Sequence, residues 1–214
     1  MIYVDSLDNK VVELVKYPFI SGLTTNPTIV KRDKPEWGFK KTLEFLESIP
    51  GNHFVQGSLR NDEWLKVLQD KIKHNKLDPS RFTIKLAWTP ADAGKFVLEL
   101  KKLGLKVCAT AVYTYEQCYT AIMSGVDFVA VYFDRMNKNG INAMETIDAM
   151  VKLTNMTGGN TRILAASIKS VNDANSLLKI GVPDLTLPLD VTEKFIDVVY
   201  PQNDLDVFEN DYCL

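Results

Sequence analysis

Short apolar runs alternate with amphipathic stretches along the whole chain, and this alternation limits the fold more than any other feature. Period-2 runs predict strands at about 1–5, 19–24, 53–57, 82–87, 105–111, 127–132, 162–167 and 184–187. Helical periodicity predicts helices at about 7–16, 36–48, 61–75, 90–103, 114–124, 141–157, 171–180 and 190–199, with a last one near 203–212. Eight strand–helix units in 214 residues predict an α/β fold, a single small (β/α)8 TIM barrel over 1–200. A helical extension over 201–214 then needs another surface, and a neighbouring subunit is the expected host. A doubly wound sheet would show the same alternation. No Gly-x-Gly-x-x-Gly or Walker motif follows any strand, so a nucleotide fold gains no local support.

Several helix ends carry chemical punctuation. Thr114 with Gln117 is a capping box, and Asp190 with Glu193 resembles one. Ser170 and Asn61 read as N-caps, and Gly104, Gly125 and Gly181 as C′ glycines. Met144, Ile147, Met150, Val151 and Met156 read as one broad core-facing helix surface rather than a cofactor box.

Composition removes several classes of function. The net charge is −2 with no long run of one sign, which argues against nucleic acid or a membrane surface as main partner. The apolar runs are too short to span a bilayer, and Met1 to Asp5 reads as a strand rather than a signal peptide. Cys108, Cys118 and Cys213 lack metal or redox spacing and read as reduced thiols of a cytoplasmic protein. With only His53 and His74 besides, no zinc site is expected.

The stretch from Phe82 to Trp88 holds a candidate for the chemistry. Phe82, Ile84, Leu86 and Trp88 share one large apolar face, while Thr83, Lys85 and Ala87 share the other. A lysine in the middle of a buried face is costly as an ammonium, and a lowered pKa would leave part of it as a nucleophilic amine. A surface lysine on an edge strand fits the same seven residues. Barrel active sites lie at the C-terminal ends of strands. Alternation there points Asp5, Thr24 with Asn26 following, Gln56, Lys85, Thr110, Tyr132 and Ser167 inward, and Arg135 and Lys169 follow in the next loops. Taken singly, Asp5 also reads as a helix cap, Asn26 as a turn residue, Tyr132 as a core aromatic and the two cations as solvated charges.

Gly22-Leu-Thr-Thr-Asn-Pro-Thr-Ile29 resembles the second-strand motif of transaldolases, and Ile84-Lys85-Leu86 their Schiff-base strand. Ala109 to Tyr113, Tyr132 to Arg135, Leu164 to Lys169 and Leu185 to Asp190 match in order and spacing. The chain is most similar to the short transaldolase-like branch, which includes fructose-6-phosphate aldolase. The resemblance implies that Lys85 forms an imine with a ketose, that Asp5 is the general base, and that Asn26 with Thr24 beside it holds the donor sugar. It implies that Thr110 with Gln56 holds a proton-shuttling water, and that Arg135, Ser167 and Lys169 hold the phosphate of a sugar phosphate. The imine is the electron sink, so no cofactor and no metal is implied, and the short branch forms decamers of two pentamers.

Two positions bear on the reaction. Transaldolases generally carry Glu where this chain has Gln56 and Phe where it has Tyr132, whereas the aldolase branch has Gln and Tyr. That favours cleavage of fructose 6-phosphate to dihydroxyacetone and glyceraldehyde 3-phosphate. Transfer of a dihydroxyacetone unit between sugar phosphates, as in the pentose phosphate pathway, is the alternative. Lys169 stands where longer transaldolases have arginine and lacks the bidentate fork.

Overall fold

The computed structural model describes residues 1–197 and 201–212. The end of the helix expected over 190–199 and Cys213 lie outside the described residues. The strands are β1 (Ile2–Val4), β2 (Ile20–Leu23), β3 (His53–Gln56), β4 (Phe82–Ala87), β5 (Lys106–Val112), β6 (Phe128–Tyr132), β7 (Arg162–Ala166) and β8 (Asp184–Leu187). All pairs are parallel, in the order β2-β1-β8-β7-β6-β5-β4-β3. A bridge between Thr24 and Phe54 joins the two ends of that order, and Thr25 N donates to the Phe54 carbonyl at 3.0 Å. The result is a (β/α)8 barrel.

The helices are α1 (Val11–Leu14), α2 (Pro27–Asp33), α3 (Phe39–Ser48), α4 (Glu63–Lys73), α5 (Pro90–Lys102), α6 (Tyr115–Met123), α7 (Phe133–Lys138), α8 (Ala143–Met156), α9 (Val171–Lys179), α10 (Leu189–Ile196) and α11 (Pro201–Tyr212). Two of them, α2 and α7, lie where the periodicity predicts none. The first predicted helix shrinks to one turn, because residues 6–10 bond locally instead. Ser6 Oγ accepts from Asp8 N, Asp8 Oδ1 accepts from Lys10 N, and Asp33 takes Leu7 N.

Thr114 and Gln117 form their capping box, Ser170 caps α9 through Asp173 N, and Gly104, Gly125 and Gly181 have φ of +79°, +79° and +86°. The Asp190–Glu193 box does not form, because α10 already starts at Leu189 behind Pro188. Asn61 accepts from Glu63 N at 2.7 Å, but Asp62 holds the N-cap position. Met150 and Ile147 are buried as expected, whereas Met156 is 82% exposed. It lies nine residues past Ile147, half a turn round the helix.

Alternation divides the core in two. Outward residues such as Val4, Val55, Phe82, Ile84 and Leu86 pack under the helices. Inward residues Tyr3, Phe54, Cys108, Phe128, Ala130, Leu164 and Ala166 fill the barrel. Tyr3 and Phe128 each meet Phe54 nearly edge-on, with ring centroids 5.0 Å apart. Each buried ring is worth about 1.5–3 kcal/mol in area removed from water. This plug separates the Arg162–Asp184 pair at the strand starts, where Arg162 Nε donates to Asp184 Oδ2 at 2.6 Å, from the polar inward groups at the strand ends.

Candidate active site

Strand β4 places Lys85 in the layer above the aromatic plug. The side chain is 2% exposed, and its Nζ donates to the Thr25 carbonyl at 3.2 Å. Gln56 and Cys108 are its register partners on β3 and β5. Burial pushes the Cys108 thiol up to about 12, so it stays neutral beside the amine.

Asp5 follows β1 directly, held by its backbone N–H to the Leu187 carbonyl at 2.8 Å. Its Oδ1 accepts from Thr24 Oγ1 at 2.5 Å, and Thr24 Oγ1 also meets Thr186 Oγ1 at 2.5 Å. Desolvation raises the Asp5 pKa, opposed by Lys85, the Thr24 hydrogen bond, Arg32 and Lys169. A carboxylate so placed can take a proton from a substrate hydroxyl.

Asn26 caps α2. Its Oδ1 accepts from Thr28 N at 2.9 Å and Ile29 N at 3.1 Å, which leaves the amide nitrogen to donate to a ligand. On the far side, Thr110 Oγ1 donates to the Tyr132 hydroxyl at 3.2 Å. The Arg135 guanidinium lies 4.9 Å from the centre of the Tyr132 ring. Arg135 and Lys169 are both exposed.

A cavity of about 380 Å³ unites Asp5, Asn26, Lys85, Tyr132, Arg135, Ser167 and Lys169. Thr24 and Thr110 stand behind its wall and hold groups that face it. Gln56 neighbours Lys85 in the sheet but lines the adjoining cleft of about 250 Å³, beside Val30, Trp37 and Phe39. Ser167 needs a correction. β7 ends at Ala166, which is inward, so alternation would turn Ser167 outward. A left-handed backbone at φ +60° brings it back to the cavity.

The cavity also contains Thr28, Arg32 and Asp190, which alternation along the strands does not find. Thr28 and Arg32 lie one turn apart on α2. The signal for that helix was in the chain, since Asn26-Pro27 is a capping residue followed by proline at the first helical position. Among the described residues, no cluster of three His, Cys, Asp or Glu is placed to hold a metal ion, and no helix is long and apolar enough to cross a membrane.

The family described as transaldolase/fructose-6-phosphate aldolase matches this chain over residues 66–211. A probable fructose-6-phosphate aldolase of Streptococcus pneumoniae is 30% identical over 193 residues, covering 90% of this chain and 86% of that protein. Among solved structures, the PaMucR phosphodiesterase in complex with c-di-GMP superposes with a TM-score of 0.55 at 13% identity, covering 69% of each chain. The FimX EAL domain from Pseudomonas aeruginosa, bound to c-di-GMP, gives 0.54 at 14%, covering 68% of this chain and 64% of the other. At that identity the two structures share a fold with this chain and nothing finer.

Proposed function

The chain belongs to the transaldolase/fructose-6-phosphate aldolase family, and from that membership we propose that it cleaves and forms fructose 6-phosphate by Schiff-base chemistry. The buried amine of Lys85, opening into the same cavity as Asp5, carries the proposal. Lys85 attacks the C2 carbonyl as the free amine, and loss of water gives the imine. Asp5 takes the C4 hydroxyl proton as the C3–C4 bond breaks, and the bonding pair moves into the imine to give an enamine. Glyceraldehyde 3-phosphate leaves. Protonation of the enamine carbon and attack of water on the imine release dihydroxyacetone and restore the amine.

The Tyr132 hydroxyl, fixed by Thr110, orients that water together with Gln56. Asn26 donates to the donor hydroxyls, with Thr24 fixing Asp5 beside it. Arg135, Ser167 and Lys169 take the phosphate, consistent with the late-loop phosphate sites of barrels. We propose aldol cleavage rather than transfer because Gln56 and Tyr132 put an amide and a phenol where transfer enzymes carry a carboxylate and a phenyl ring. We further propose a cytoplasmic homo-oligomer, a decamer of two pentamers, with sugar phosphates as its ligands.

Product analysis tests the reaction. Fructose 6-phosphate alone should give free dihydroxyacetone, and adding erythrose 4-phosphate should give little sedoheptulose 7-phosphate. Efficient sedoheptulose 7-phosphate formation, with no dihydroxyacetone in its absence, would make the protein a transaldolase.

A further inference from the structure

Strand β8 carries one hydroxyl, and the reaction above makes no use of it. Leu185 and Leu187 pack under the helices, whereas Thr186 stands in register with the inward Tyr3 and is 1% exposed. β8 and β2 flank β1 in the sheet, so Thr186 and Thr24 approach Asp5 from opposite sides. Their Oγ1 atoms meet at 2.5 Å, and Thr24 Oγ1 lies 2.5 Å from Asp5 Oδ1.

Counting protons fixes the direction of these bonds. A threonine hydroxyl has one proton, and an ionised carboxylate only accepts. The Thr24 proton therefore goes to Asp5, and the contact between the two threonines takes its proton from Thr186. The chain runs Thr186 to Thr24 to Asp5, and each donor polarises the next. With Oδ1 so held, Oδ2 is the oxygen left for a substrate hydroxyl. The same strand grips Asp5 a second time, because the Leu187 carbonyl accepts from Asp5 N at 2.8 Å. Backbone and carboxylate are both referenced to β8. Burying the Thr186 hydroxyl costs free energy that a valine of similar shape would not. Among the described residues, its side chain bonds to Thr24 alone.

We propose that Thr186 is a positioning residue for the aldol step, orienting the Asp5 carboxylate through Thr24 so that Oδ2 meets the C4 hydroxyl. The proposal rests on the role of Asp5 as base given above. Thr186 touches neither the substrate nor the imine. Its loss should therefore slow proton removal and leave substrate binding and imine formation as they are.

A double-mutant cycle on fructose 6-phosphate cleavage tests this. Thr186→Val should lower kcat by about three- to tenfold, the scale of one neutral hydrogen bond, with KM and the rate of borohydride trapping by dihydroxyacetone changed by less than about twofold. Thr186→Ser, which restores the hydroxyl, should recover at least about half of the wild-type kcat. In an Asp5→Asn background, Thr186→Val should change the residual kcat by less than about twofold, because the group it acts through is gone. Circular dichroism and a thermal melt check the fold, and Thr186→Ala takes the place of valine in the cycle if the valine variant does not fold. An equal loss in both backgrounds, or no loss of kcat in the wild-type background, would overturn the positioning role while the reaction stands. Asp5→Asn retaining kcat within about tenfold of wild type would overturn the base assignment and this inference with it.

Discussion

Lys85 Nζ donates to the carbonyl oxygen of Thr25, sixty residues earlier in the chain, at 3.2 Å. This bond ties the middle of β4 to the end of β2, next to the residue that caps α2. A carbonyl holds the amine in place without the full charge of a carboxylate. Among the described residues, Lys85 makes no ion pair within 4.0 Å. Its charge interaction is the longer-range one with Asp5 in the same cavity.

Lys85→Ala is expected to abolish turnover and leave the fold intact. A buried lysine without an ion-pair partner adds little net stability, so the melting temperature should stay the same or rise. Circular dichroism and a thermal melt check the fold, and an aldol-cleavage assay checks the rest. Activity within tenfold of wild type would sink the imine assignment.

Asp5→Asn should lower kcat by about 10²- to 10⁴-fold, the usual contribution of a positioned base. It should also stabilise the protein at neutral pH. Desolvation raises the Asp5 pKa above its unfolded value of about 3.9. A raised carboxyl pKa contributes stability below the unfolded value, and that contribution is lost as pH rises through the folded value. The variant's advantage should thus shrink as pH falls toward the ordinary carboxylate range. Melts across pH that show the reverse trend would remove the desolvation account.

Arg135→Ala should raise KM for phosphorylated substrates by roughly 10- to 150-fold, equivalent to about 1.5–3 kcal/mol. Unphosphorylated aldehydes should be affected much less. The comparison matters because Arg135 also stacks on Tyr132, so truncation disturbs more than a charge. Equal losses on both substrate classes would assign Arg135 to the ring rather than to the phosphate.

Much of this architecture is legible in the residues, and the exceptions have physical causes. Every predicted strand exists within two residues at either end, because one face under helices and one face in the barrel enforce alternation. Lys85 and Asp5 reach one cavity for the same reason. Alternation fails where the backbone leaves the strand path. Ala111 is left-handed at φ +58°, where the β5–β6 register shifts, and Ser167 re-enters the cavity through φ +60°. Neither residue type announces such a conformation. The turns over residues 6–10 depend partly on Asp33, more than twenty residues away. Arg32 escapes alternation for a simpler reason: Asn26-Pro27 fits a turn as well as a helix start, and only the bonds from Thr28 N and Ile29 N to the Asn26 side chain decide for the helix.

The α11 helix bears on assembly. Leu205, Phe208 and Tyr212 are 48%, 66% and 90% exposed, among Asp204, Asp206, Glu209 and Asp211. An apolar face of this kind, outside a completed ring of helices, is expected to pack on a neighbouring subunit. Phe208→Asp should lower the order of the assembly, read by light scattering, while the circular dichroism spectrum is kept. A monomeric wild-type protein, or an unchanged assembly in the variant, would end this idea.

The last prediction concerns the enamine that the proposed mechanism leaves on Lys85 once the aldehyde departs. It is either protonated and hydrolysed or it attacks a second aldehyde. Hydrolysis needs a water at the imine carbon and a group that passes protons to it. Tyr132 can donate to such a water, and Thr110 donates to Tyr132, which leaves the phenolic proton free to point elsewhere. Gln56 sits beside Lys85 in register and can orient water, but an amide cannot take up a proton. Gln56→Glu supplies a carboxylate at that register position and alters both charge and proton exchange at the water. It should shift the balance from free dihydroxyacetone toward sedoheptulose 7-phosphate when erythrose 4-phosphate is present. The product ratio from fructose 6-phosphate, read with and without the acceptor, checks this. An unchanged ratio would mean that Gln56 serves the adjoining apolar cleft, and that Tyr132 with Thr110 governs the water alone.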